Sequence, residues 1–288
     1  MFKIIEKDIT KFSTIRTPSI AKYFTVVNNV DDIEKSIEFQ KKNNLKFKIL
    51  GNGSNVLFSK EYYDDILFLK LGDEFKQIDF YNDYVEIGGR YSLIQAGRSL
   101  IKKGYSDFIF FNLIPATIGG AVRQNAGTGK GEEIKDVIVS VLVYDIKESR
   151  ASELSLNRLD FSYRDSIIKK YPERYIILSA KFHLSSQEDV KQLSANMSLR
   201  VKEKTNREPK GYCFGSTFMN DEKYAWEYIE SVIGELKIYK NIQFSKKHKN
   251  WIINIDGTGK DVLHLIREAQ EKVFEKFKID LKEEVDII

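Results

Sequence analysis

Two stretches of this chain have the composition of a surface that lies against a large anionic ligand. Gly51-Asn52-Gly53-Ser54-Asn55 directly follows an apolar run. Two glycines flanking one residue let the backbone turn tightly and let main-chain N–H groups come close to an anion, and Ser54 and Asn55 add side-chain donors. The segment lacks the Lys-Ser/Thr of a P-loop and the third glycine of a dinucleotide fingerprint, so alone it reads at least as readily as a glycine-rich hairpin. The second stretch, 114–127, has Arg123 as its only charged residue. Gly119 and Gly120 let its backbone lie flat, while Thr117, Gln124 and Asn125 offer neutral hydrogen bonds. An isoalloxazine ring requires such contacts at its pyrimidine edge and tolerates apolar walls elsewhere. A packed glycine turn has the same composition.

The elements that must position these stretches follow from hydrophobic periodicity. Apolar runs at 46–50, 66–71 and 83–87, each followed by a glycine break, read as strands. Longer runs rich in β-branched residues, 137–146 and 175–184, read the same way. Helical spacing predicts one helix over 32–44, with Ile33 and Ile37 on one face, and another over 92–103, with Leu93, Ala96 and Leu100 on one face. A polar segment, 185–204, reads as a helix linking two domains. Near the C-terminus Val262, Ile266, Ala269, Val273 and Phe277 repeat on one helical face. The pattern is α+β, with strands first and a smaller mixed domain after about residue 200.

Composition narrows the classes. A length of 288 residues and 42% hydrophobic content suit about two folded domains. The 46 Lys and Arg stand against 42 Asp and Glu, a net charge of +4. The charges are mixed along the chain, which suits a solvated surface and an anionic small ligand. The densest basic run, Lys246-Lys247-His248-Lys249, lacks the interleaved aromatics of a single-strand nucleic-acid binder, so no nucleic-acid partner is expected. The single cysteine, Cys213, builds neither a disulfide framework nor a zinc site, and no metal is expected. The opening residues show no signal-peptide pattern and no run reaches membrane-spanning length, which sets the expectation of a cytoplasmic protein without membrane insertion.

Six segments taken together carry a resemblance. LGNGSNVL (50–57), IPATIGGAVRQNAG (114–127), FSYRDS (161–166), GSTFMN (215–220), FSKKHKNWIIN (244–254) and LKEEV (281–285) stand in the order and spacing of the UDP-N-acetylenolpyruvoylglucosamine reductases, the MurB family, in its shorter type. The resemblance covers almost the whole chain. It implies a vanillyl-alcohol-oxidase/PCMH-type FAD-binding domain, with subdomains 1–72 and 73–198, and a smaller α+β substrate-binding domain over 199–288. It further implies a monomer in peptidoglycan precursor synthesis, hence cell wall biogenesis, cell shape, cell cycle and cell division.

Carried over residue by residue, the family's active-site arginine falls on Arg164, after Tyr163, its proton-donating serine on Ser216, and its active-site glutamate on Glu284. The family's pocket asparagine falls on Asn220, and Tyr163, Arg164 and Asn220 are the implied substrate contacts. Implied contacts to noncovalent FAD are Gly51, Asn52, Gly53, Ser54, Asn55, Thr117, Gly119, Gly120, Gln124 and Asn125. In that family NADPH is the co-substrate that reduces FAD and then leaves. Reduced N5 delivers hydride to C3 of the enolpyruvyl group of the UDP-sugar, and charge develops at C2 and spreads into the carboxylate. A guanidinium at Arg164 suits that carboxylate, and a hydroxyl at Ser216 suits proton delivery to C2.

Some positions depart from the family pattern. Ala116 stands where glycine is usual, Tyr212-Cys213-Phe214 where small residues or proline are usual, and Met219 where a polar or basic residue is frequent. Trp226 and Glu227 replace a glycine and an apolar residue, and 224–244 matches poorly. These changes leave a second expectation open, a divergent flavin oxidoreductase of the same scaffold acting on another sugar nucleotide. His248 falls on a family histidine, while His183, His264 and Cys213 read as structural.

Overall fold

The computed structural model describes residues 2–129, 131–185, 187–237, 239 and 241–288; Ser186, within the expected helix over 185–204, lies outside them. Along the chain, β1 (Ile5–Asp8), β2 (Ile20–Val27), α1 (Val30–Lys42), β3 (Lys46–Ile49), β4 (Val56–Leu57), β5 (Tyr62–Leu71), β6 (Ile78–Phe80) and β7 (Tyr84–Gly88) lead to α2 (Leu93–Ile101) and α3 (Ile118–Arg123). Then come β8 (Ile138–Asp145), β9 (Arg150–Ser155), α4 (Ile167–Lys170), β10 (Tyr175–His183), α5 (Val190–Arg207), α6 (Ala225–Val232), β11 (Ile242–Phe244), β12 (Ile252–Asn254), α7 (Gly259–Phe277) and β13 (Asp286–Ile287).

Helix starts are set by side-chain caps. The Asn29 side chain accepts from the Asp32 N–H, and Asp31 and Asp32 face the positive end of the helix dipole, so α1 begins two residues before the expected start. Ser92 caps α2 in the same way. Thr258 and Asp261 form a reciprocal capping box on α7, which ends with Lys278 in the left-handed region at φ 60°. Helix α5 begins only at Val190, because Asp189 accepts from the Gln192 N–H and so sets the start five residues after the expected one. The face of α7 expected to be apolar is buried at Val262, Ile266, Ala269 and Val273. Phe277 departs from it: it is 38% exposed at the end of the helix, with its ring against the edge of Tyr228 and the Lys276 ammonium 5.8 Å from its centre.

The strands form a four-stranded sheet ordered β1-β2-β5-β3, a five-stranded sheet ordered β6-β7-β10-β8-β9, and the two-stranded pairs β11-β12 and β13-β4. Strand β10 lies central in the five-stranded sheet, antiparallel to both β7 and β8, and is buried along nearly its whole length. This is why its residues run continuously apolar rather than alternating.

The chain divides into two compact, interleaved units. The first comprises Met1–Ile5, Tyr23–Asn52 and Asp65–Lys202. One of its cores packs α1 residues Ile33 and Ile37 with Phe47, Leu67 and Leu69. Another packs α2 and α3 onto the five-stranded sheet around an edge-to-face cluster of Phe108, Phe110, Phe111 and Phe182. The second unit comprises Glu6–Lys22, Gly53–Asp64 and Glu203–Ile288. Its core joins α6 and α7 to Ile15, Leu57, Phe214 and Phe218. The expected ranges 1–72, 73–198 and 199–288 run consecutively along the chain, whereas the compact units interleave. The cause lies at the C-terminus: β13 pairs in parallel with β4, and the Ser59 and Tyr63 hydroxyls both donate to the Ile288 carbonyl.

Candidate functional site

In the first unit, Gly51 and Asn52 leave β3 directly. A Cβ on Gly51 would stand 2.8 Å from the Thr117 hydroxyl, so only glycine lets the two stretches lie this close. The Asn52 amide donates to the Pro115 carbonyl at 3.3 Å, and the Lys70 ammonium donates to the Gly51 carbonyl at 2.6 Å. Thr117 caps α3 by accepting from the Gly120 N–H at 3.1 Å. The Gly119 N–H donates to the Gly89 carbonyl at 2.8 Å, and a Cβ on Gly119 would approach that carbonyl to 3.1 Å. Gly120 is exposed and Gln124 closes the helix as its C-cap. The two glycine-bearing stretches therefore meet, with Thr117 packed against Gly51. Such a flat, side-chain-free cradle fits a dinucleotide.

Also in the first unit, Tyr163, Arg164 and Asn125 form one cluster. The Arg164 guanidinium is mostly buried and donates to the carbonyls of Asn125 (3.4 Å) and Gly127 (2.9 Å), with Glu133 at 3.8 Å. It lies 5.1 Å from the centre of the Tyr163 ring. The Asn125 amide is engaged at both ends: its NH2 donates to Glu133 and to the Ser162 carbonyl, and its oxygen accepts from the Lys135 N–H. The Asn125 side chain thus braces the arginine loop. Arg164 stands at φ 55° and Asn125 at φ 43°. A left-handed conformation costs an arginine ~1–2 kcal/mol, and the Lys169 ammonium on the Arg164 carbonyl and the Ser166 hydroxyl on the Arg123 carbonyl hold the loop in place.

The second unit brings three remote stretches together. Gly53 stands at φ 69°, and a Cβ there would meet the Phe12 carbonyl at 1.8 Å, which no side chain could survive. Thr14 donates its N–H to the Gly53 carbonyl and its hydroxyl to the Cys213 carbonyl, at 3.0 and 2.6 Å. Ser54 is half-buried, and its carbonyl lies 4.0 Å from where a Cβ on Gly215 would stand. The Asn55 amide donates to the Glu284 carbonyl at 2.9 Å, and the Glu284 N–H donates to the Thr217 carbonyl at 2.9 Å. Ser216 is half-buried between Gly215, at φ 88°, and Thr217, so it lies one residue from the backbone pairing that holds Glu284. The Thr217 hydroxyl is buried and makes no hydrogen bond among the described residues, leaving an unused polar atom beside Ser216.

Asn250 is the residue that sequence reasoning passed over. It is buried, and its amide donates to the Phe218 carbonyl and accepts from the Phe218 N–H at 2.8 and 2.9 Å, while its own carbonyl accepts from Thr217. It clamps the segment that carries Ser216. Its place in the FSKKHKNWIIN segment was the only available signal. Asn250→Ala would orphan two buried main-chain groups and is expected to lower stability by ~2–4 kcal/mol. Thermal unfolding checks this; an unchanged midpoint would show that Asn250 holds nothing.

The remaining expected residues separate. Asn220 is exposed, and its side chain accepts from the Ala225 N–H at the start of α6. Burial pushes the Cys213 thiol up from its ordinary value, against a Gly215 N–H contact that lowers it, so it stays protonated and inert near neutrality. Burial also holds the His248 imidazole below its ordinary value; its Nδ1 is buried without a partner and its ring centre is 5.8 Å from that of Trp251. His183 and His264 are exposed. Among the described residues no group of three or more His, Cys, Asp or Glu could hold a metal ion, and no helix is long and apolar enough to cross a membrane.

Comparison with known proteins adds to this geometry. A profile of the UDP-N-acetylenolpyruvoylglucosamine reductase C-terminal domain matches residues 208–288, and one of an FAD binding domain matches residues 21–152. The UDP-N-acetylenolpyruvoylglucosamine reductase of Bacillus velezensis is 30% identical over 99% of this chain and 94% of its own length. That of Bacillus licheniformis is 31% identical with the same coverage. The crystal structure of the UDP-N-acetylenolpyruvylglucosamine reductase of Thermus caldophilus superimposes with a TM-score of 0.81 at 23% identity, over 100% of this chain and 99% of that one. The fold is thus an FAD-binding domain of PCMH type joined to the C-terminal domain of these reductases.

Proposed function

This chain belongs to the UDP-N-acetylenolpyruvoylglucosamine reductase family, and from that premise we propose that it is an FAD-dependent oxidoreductase that reduces UDP-N-acetylglucosamine enolpyruvate to UDP-N-acetylmuramate, with NADPH as electron donor. The observation that carries the reading is the placement of Ser216, Glu284 and Gly53–Asn55 in one unit through the Asn55–Glu284 and Glu284–Thr217 hydrogen bonds. These bonds to the Glu284 main chain bring the segments that carry Ser216, Glu284 and the glycine loop side by side.

Bound FAD supplies the hydride for C3 of the enolpyruvyl group. The chain's own residues do the rest. The peptide groups around Gly51 and Thr117–Gly120 line the cofactor. Arg164, fixed by Asn125 and Glu133, clamps the substrate carboxylate and stabilises the charge that spreads into it. Ser216 gives its proton to C2, where a strongly basic carbanionic centre compensates for the weak acidity of a hydroxyl. Glu284 orients the same group. Tyr163 and Asn220 line the substrate, and the protein works as a cytoplasmic monomer in peptidoglycan precursor synthesis, and so in cell shape and division.

The purified protein tests this in two readings. It should be yellow, release unmodified FAD on denaturation, and without oxygen oxidise NADPH beyond the one equivalent that reduces its flavin only when the enolpyruvyl UDP-sugar is present, with UDP-N-acetylmuramate as product. A flavin-loaded protein that ignores this substrate but accepts another sugar nucleotide would favour the divergent reading, which the exposed Tyr212, Tyr224 and Trp226 motivate.

A further inference from the structure

Lys70 is a feature that neither the motifs nor the proposed chemistry uses. It lies on β5 beside the β3 end from which Gly51 departs, where the Leu50 N–H bonds to the Leu69 carbonyl. Its neighbours Leu69 and Leu71 are buried on the opposite face. Its ammonium donates to the Gly51 carbonyl at 2.6 Å. A trans peptide places its C=O and N–H on opposite sides, so holding the Gly51 carbonyl toward β5 turns the Asn52 N–H the other way. That N–H makes no hydrogen bond among the described residues. The Asn52 side chain on Pro115 and the Thr117 hydroxyl against Gly51 lock the same peptide from the other stretch.

We propose that Lys70 is a positioning residue for the cofactor's diphosphate: it sets the Gly51–Asn52 peptide with its N–H outward and places a fixed positive charge directly behind the loop. The inference rests on the reading that this loop holds the FAD diphosphate. Two further facts fit a residue kept for an anion. Burial, with a smaller contribution from the Arg90 charge, holds the Lys70 ammonium down at about 8. Arg90 itself is tied to Asp73 at 3.1 Å. Burial and the Arg90 charge both disfavour the charged form of Lys70, and a dianionic diphosphate beside the loop would favour it.

The test measures FAD and 5′-ADP binding to apoprotein by flavin fluorescence and by competition, alongside apoprotein thermal midpoints, for wild type, Lys70→Met, Lys70→Gln and Lys70→Arg. In Lys70→Met both dissociation constants should rise about tenfold or more, the loss expected for a charge-assisted contact, while the apoprotein midpoint stays the same or rises. Lys70→Arg should restore most of the affinity. If Lys70→Met does not fold, Lys70→Gln gives the same reading without the charge. Unchanged affinity for both ligands in either neutral variant overturns the inference. So does a weakened affinity accompanied by an equally lowered apoprotein midpoint, which marks a merely structural role. If wild type binds neither FAD nor ADP, the cofactor reading itself fails, a result separable from failure of Lys70 alone.

Discussion

Ser216→Ala is expected to leave flavin content and flavin reduction by NADPH near normal and to slow flavin reoxidation by the enolpyruvyl substrate by ~10²–10⁴-fold, the range typical of a lost general acid. The asymmetry follows from where the proton goes. Reduction of the flavin involves no protonation at substrate C2, so the serine has no part in it. In the second half, the basic centre at C2 must otherwise wait for a poorly placed water. The substitution is structurally mild, because Ser216 is half-buried and the segment around it is held by main-chain bonds to Glu284 and by Asn250 rather than by its own hydroxyl. Ser216→Cys keeps a proton donor of similar size and should retain more activity than alanine. Rapid-mixing absorbance of the flavin separates the two halves, and equal slowing of both would point to general damage instead.

Arg164→Ala is expected to raise the substrate KM and lower kcat together, a loss of roughly 1.5–3 kcal/mol or more of charge-assisted binding to the carboxylate. Its effect should exceed that of removing an exposed arginine for a second reason. Arg164 lies 3.8 Å from Glu133, whose side chain is only 16% exposed. Without the guanidinium that carboxylate keeps the Lys135 ammonium at 2.9 Å and the Asn125 amide as partners, and the local balance of charge becomes less favourable to an anionic substrate. Arg164→Lys should recover the charge but not the two-point contact, and so fall between. NADPH-driven flavin reduction should persist in both. Wild-type KM and kcat in Arg164→Ala would remove the arginine from the site.

Much of this was legible in the chain, and what was not has identifiable physical causes. Periodicity located α1, α2 and the long strands β8 and β10, because helix and sheet patterns are local. The capping residues Asn29 and Asp189 then moved helix starts by a few residues. The glycine stretches could be singled out because a tight approach excludes side chains, as Gly51 against Thr117 and Gly53 against Phe12 demonstrate. Composition could not distinguish a residue that faces a ligand from one that faces the protein. Asn125 is expected from sequence as a flavin contact, and no local pattern announces that its side-chain amide also bonds Glu133, Ser162 and Lys135. Glu133 itself carried no signal, being one acid among many.

The interleaving of the two units was equally silent. It depends on β13 reaching β4 across more than two hundred residues, and two-residue strands have no period to read. For the same reason Glu284 reads in isolation as a solvated tail charge. Only its main-chain bonds to Thr217 and Asn55 set it beside Ser216. Residues 6–22 likewise look unremarkable, yet Thr14 ties both Gly53 and Cys213.

The central claim is tested most directly by an anaerobic two-step titration of the flavin absorbance in the purified wild-type protein. NADPH should bleach the oxidised flavin band stoichiometrically. Subsequent addition of one equivalent of UDP-N-acetylglucosamine enolpyruvate, with no oxygen present, should restore the band fully and yield UDP-N-acetylmuramate. A flavin that is bleached by NADPH and stays bleached when this substrate is added would contradict the claim.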